Sequence, residues 1–121
     1  MNEKIKKQWI DALRSGEYKQ GKNVLKKYDQ YCCLGVLTDL FCKATTDSQE
    51  KADNLMSNYS YWTKLGHSIA QWAGLSEEDP LVPYEGVKYR ISLLNDGTRV
   101  SSIPVREHTF EEIADIIEKH L

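Results

Sequence analysis

The sequence predicts an α+β fold, a mainly helical single domain of about four helices with one short antiparallel hairpin. Three observations carry that prediction. Apolar residues recur at helical spacing at both ends of the chain. Cys32 to Phe41 is the densest apolar stretch and reads as a buried central helix. Between Leu81 and Val105 the apolar repeat shortens to two, the period of a strand. At 121 residues the chain is long enough for one core and too short to split comfortably, so residues 1–121 read as a single domain.

Ile5, Trp9, Ala12 and Leu13 share one helical face, and Gly16 follows where a left-handed cap would sit, which predicts a helix over 3–14 with its lysines in water. Residues 17–31 hold Gly21 and mixed polar residues around Val24-Leu25. They read as a turn and a short extended piece, with Tyr28-Asp-Gln-Tyr31 as another turn. In the central helix Cys33, Val36, Leu37 and Leu40 face one way, and Gly35 costs about 1 kcal/mol against Ala, a penalty that points to a closely approaching backbone. The polar stretch 43–60 reads as a surface loop or a weak helix. Leu65, Ile69 and Trp72, stopped by Gly74, predict a helix over about 63–73, and Ser76 to Pro80 a turn. Val87, Tyr89, Ile91 and Leu93 alternate as a strand, with Asn95-Asp-Gly97 as a hairpin-like turn before Val100; a short helix ending at Asn95 is the rival. Thr109 with Glu112 is a capping-box pattern opening a last helix on Phe110, Ile113, Ala114, Ile117 and Leu121. The expected core is Trp9, Leu13, Leu34, Leu37, Leu40, Ile69, Trp72, Phe110, Ile113 and Ile117.

Composition narrows the class. No stretch has the roughly 18 consecutive apolar residues of a membrane helix. The lysines at the start are not followed by an uninterrupted apolar run, because Gln8, Asp11 and Arg14 intervene, so a cytoplasmic protein is expected, with no membrane partner. Three cysteines, two adjacent, make a poor disulfide framework and read as reduced thiols. The net charge of −2 hides an asymmetry: residues 1–31 carry eight Lys or Arg against four Asp or Glu, the remainder eight against fourteen. The interleaved acids make this a weak nucleic-acid footprint, and a solvated face is the stronger reading.

Cys32 and Cys33 invite a nucleophile, yet they sit in an apolar stretch without a histidine nearby in sequence, and core packing explains them and Cys42 better. Metal-ligand spacings are missing, and no glycine-rich phosphate loop occurs, so neither metal nor cofactor is expected. Nothing assigns an acid, a base and an electrophile stabiliser, and the chain reads as a non-enzyme. Two ligand-site candidates remain. Arg14, Tyr18 and Gln20 put a planar cation, a phenol and an amide within seven residues, suited to phosphate and flat rings. The competing reading pairs Arg14 with Glu17 and lays Tyr18 on the core edge. Tyr59, Tyr61 and Trp62 form an aromatic group after a polar loop, a composition found where proteins meet partners, although Trp62 equally suits an anchor for that loop.

Trp9 to Gly16, Cys32 to Leu37, Trp72 to Leu75, Leu94 to Asp96 and Phe110 to Ala114 together resemble small proteins carried by tailed bacteriophages and prophages. The resemblance spans nearly the whole chain, departs from it in the long segment between Asp96 and Thr109, and transfers no catalytic residue. It implies an accessory protein that acts by binding in counter-defence, taking up a nucleotide-type immune signal or inhibiting a host defence protein. A homo-oligomer is compatible with it. A small DNA-binding or regulatory module using the lysine-rich first helix is the alternative.

Overall fold

The computed structural model describes residues 1–98 and 104–121; Val100, expected to continue from the Asn95-Asp-Gly97 turn, lies outside them. The predicted α+β domain is present, with six helices among the described residues rather than four.

Helix α1, Glu3–Arg14, has the predicted bounds. The Asn2 side chain accepts from the Ile5 N–H at 3.0 Å and caps it, and Ile5, Trp9, Ile10 and Leu13 form the buried face. That face lies against α6, Phe110–His120, in the most extensive helix contact of the molecule. Both arms of the Thr109–Glu112 capping box form, and Phe110, Ile113, Ala114 and Ile117 are buried.

Helix α2, Cys33–Thr45, is the centre. Its first expected residue, Cys32, is instead the N-cap, whose Sγ accepts from the Gly35 N–H at 3.4 Å. The Trp9 indole donates to the Cys33 carbonyl at 2.9 Å and ties α1 to the start of α2. The close backbone expected at Gly35 is that of Leu25: a Cβ on Gly35 would stand 1.7 Å from the Leu25 carbonyl oxygen. That carbonyl also accepts from Cys32 N–H at 3.2 Å.

Residues 17–31 are more ordered than a turn and one extended piece. Three two-residue strands, β1 (Lys19–Gln20), β2 (Lys26–Lys27) and β3 (Gln30–Tyr31), form a small sheet in the order β1-β3-β2. β1 runs parallel to β3 and β2 antiparallel to it.

The polar stretch 43–60 contains the last turn of α2 and a helix α3, Gln49–Ser57. Ser48 caps α3 by accepting from Lys51 N–H at 3.2 Å, and Ala52 and Met56 are its buried anchors. Two apolar side chains at helical spacing and a cap suffice once α2 offers a wall. Helix α4, His67–Ala73, is shorter than the expected 63–73, since its N-cap Gly66 is extended and lacks a capping side chain.

The hairpin falls in the expected region but not at the expected turn. β4 (Leu81–Tyr84) pairs with β5 (Val87–Arg90) through Glu85-Gly86, both at positive φ (49° and 81°), the pattern of a tight type I′ turn. Asn95-Asp-Gly97 is therefore not a hairpin turn. Ile91–Asp96 is helix α5, as the rival reading held, and Ile91 and Leu94 are buried on it. The decisive group is Asp79, whose carboxylate accepts from Ser92 N–H at 3.1 Å and Ser92 Oγ at 2.5 Å, supplying the start of α5 with a cap from outside the segment. Of the expected core, Leu40 and Trp72 are only partly buried, Trp72 standing edge-on to Phe41; the other eight are buried. No helix of the described residues is long and apolar enough to cross a membrane.

Candidate functional site

The structure sends the first predicted cluster in three directions. Arg14, in the last turn of α1, reaches α6, donating to Asp115 at 2.6 Å and to Glu118 at 3.2 Å. These hydrogen bonds, Glu118 first, raise its pKa further, and the local pair with Glu17 does not form. The cleft beside it, about 330 Å³, alternates Lys6, Lys7 and Arg14 with Glu3, Asp11 and Glu118, so its charges largely cancel.

Tyr18 turns to α2. Its hydroxyl donates to Asp39 at 2.5 Å, Lys43 Nζ stands 3.0 Å from the same carboxylate, and the Tyr31 ring meets Tyr18 edge-on at 5.0 Å. Burial, then the bond to Asp39, pushes the Tyr18 phenol above its ordinary range. This matches the core-edge reading of Tyr18, with Asp39, itself buried, as the partner that sequence spacing did not reveal.

Gln20 turns inward. Its Nε2 donates to Asn95 Oδ1 at 3.1 Å and to the His108 carbonyl at 2.8 Å, and its Oε1 accepts from Phe110 N–H at 3.1 Å. Asn95 is fully buried and is the hub: Oδ1 also accepts from Cys33 N–H at 3.1 Å, while Nδ2 donates to the Gly21 carbonyl and to Asp96, each at 2.9 Å. His108 is fixed beside it, N–H to the Leu94 carbonyl at 2.8 Å and Nδ1 donating to the Arg106 carbonyl at 2.9 Å, with Nε2 unpartnered among the described residues.

The aromatic group, by contrast, is assembled. The segment after α3 lies along β2, with Lys26 N–H donating to the Ser60 carbonyl at 2.9 Å and Leu25 N–H to the Trp62 carbonyl at 2.8 Å. Tyr59 and Trp62 meet edge-on at 5.1 Å, and both rings lie over Gly66, where a Cβ would come within 3.3 Å of Tyr59 and 3.4 Å of Trp62. Tyr59 anchors the pair, while Trp62 stays 49% and Tyr61 75% exposed. Tyr28, in the turn between β2 and β3, is 86% exposed. Among the described residues no carboxylate lies within ion-pair distance of Lys26 or Lys27.

Across residues 1–121 the chain matches the family model described as Domain of unknown function (DUF8296). It belongs to that family. No curated protein and no solved structure matches it. In this DUF8296 chain, Gly35 admits Leu25, Cys32 caps α2, Trp9 binds the Cys33 carbonyl and Asn95 holds the network, so each of these sequence motifs has a structural duty.

All three thiols are free and buried. Burial raises Cys32 and Cys42 to about 11 and Cys33 well above its ordinary value. The run Glu77-Glu-Asp79 is used within the fold: Glu77 accepts from Arg90 at 2.8 Å and Asp79 caps α5. Among the described residues no group of three His, Cys, Asp or Glu side chains is placed to hold a metal ion.

Proposed function

We propose that the chain is a phage accessory protein of counter-defence that works by binding in the cytoplasm of the bacterial host, and that it takes up a nucleotide-type immune signal on the face of Tyr59, Tyr61 and Trp62. The observation that carries this reading is a pair of water-exposed rings, Tyr61 and Trp62, on a segment hydrogen-bonded along β2, whose Lys26 and Lys27 have no carboxylate within ion-pair distance among the described residues. Rings offer a stacking surface for a nucleobase, worth about 1–3 kcal/mol per base. The ammonium groups of Lys26 and Lys27 suit a phosphate as point charges. Arg14, Tyr18 and Gln20 are left out of this face, since their polar atoms have partners elsewhere, on α6, at Asp39 and at Asn95. Inhibition of a host effector protein is the second reading, favoured by the exposed Tyr and Trp, the residue types that anchor protein interfaces. DNA binding through α1 gains less support, because Lys7 is paired with Asp11 at 2.9 Å and carboxylates line the neighbouring cleft.

The test is phage plating on hosts that carry a nucleotide-signalling defence, with and without this chain expressed. Phage plating should be restored by the wild type and lost again with the Tyr61→Ala/Trp62→Ala double variant. A folded double variant that restores plating fully sinks the assignment of this face. Restored plating by a protein whose native mass never shifts with any nucleotide moves the reading to the host effector.

A further inference from the structure

We draw no further inference here: the strongest candidate, the polar cleft of about 230 Å³ that Gln20, Lys22, Asn95, Glu107, His108 and Thr109 line between β1, the end of α5 and the start of α6, carries nothing, because Gln20 and Asn95 spend their amide groups on partners inside the fold, Lys22 is paired with Glu107, and His108 Nε2, unpartnered among the described residues, is itself closed off from solvent, so nothing in the structure shows what would fill it.

Discussion

Replacing Asn95 with Ala should be among the most costly single truncations of a polar side chain in this protein. The side chain is fully buried and makes four hydrogen bonds. Two partners have alternatives: Gln20 Nε2 keeps the His108 carbonyl, and Asp96 keeps the Asn23 N–H at 3.0 Å. The other two, Cys33 N–H and the Gly21 carbonyl, would be left without a partner at the start of α2 and beside β1. A buried orphan costs about 1–3 kcal/mol, so the pair amounts to about 2–6 kcal/mol before any packing loss. Against a total stability of about 5–15 kcal/mol for a domain, that is a large fraction. Urea unfolding followed by tryptophan fluorescence reads it directly, since Trp9 is bonded to the Cys33 carbonyl next to the orphaned N–H. Gln20→Ala and the double variant complete a cycle whose coupling should fall at about 0.5–3 kcal/mol. A loss below about 1 kcal/mol for Asn95→Ala would refute the reasoning, for it would mean that water satisfies both groups.

Gly35→Ala should abolish soluble expression or destabilise the chain by more than about 3 kcal/mol, because the obstructing atom is the Leu25 backbone and no rotamer change can clear it; solubility and urea midpoint read it, and wild-type stability would show that the Leu25 segment is free to retreat. The three thiols should resist a disulfide reagent at pH 8 and react fully in denaturant, since Cys32 and Cys42 titrate at about 11 and Cys33 higher; rapid labelling of the native protein would contradict their burial. Glu112 is held down to about 2, first by its hydrogen bonds with Arg106 and then by Thr109 N–H. Its depressed pKa contributes stability that is complete above the ordinary value of 4.5 and fades as pH falls through about 2. Glu112→Gln should flatten that acid limb and cost about 0.5–1 kcal/mol at pH 7, the modest size reflecting solvent screening of the exposed pair; an unchanged profile between pH 4.5 and 2 would show that the carboxylate's charge is idle.

The sequence by itself determined the parts whose cause is local. The face of α1, the capping box of α6 and the apolar run of α2 are repeats and caps within a dozen residues, and those elements stand where the spacing puts them. The penalty at Gly35 announced a close backbone without saying whose. Tertiary structure decided what depends on residues far apart in the chain. Val87 to Leu93 alternate well enough for a strand, but Asp79 caps the N-terminus of α5 and turns Ile91 and Leu94 into helix residues. The polar stretch 43–60 becomes α3 only against the wall of α2, which gives Ala52 and Met56 somewhere to be buried. The candidate site divides the same way. Tyr59, Tyr61 and Trp62 are neighbours in sequence and were legible as a group. Arg14, Tyr18 and Gln20 are neighbours too, yet Asp115, Asp39 and Asn95 draw them to three different places, because in a compact domain a polar side chain follows its nearest partner in space. The segment that carries the aromatic group is tied to residues 25 and 26 by a hydrogen-bonded seam, and no spacing in the chain records that seam.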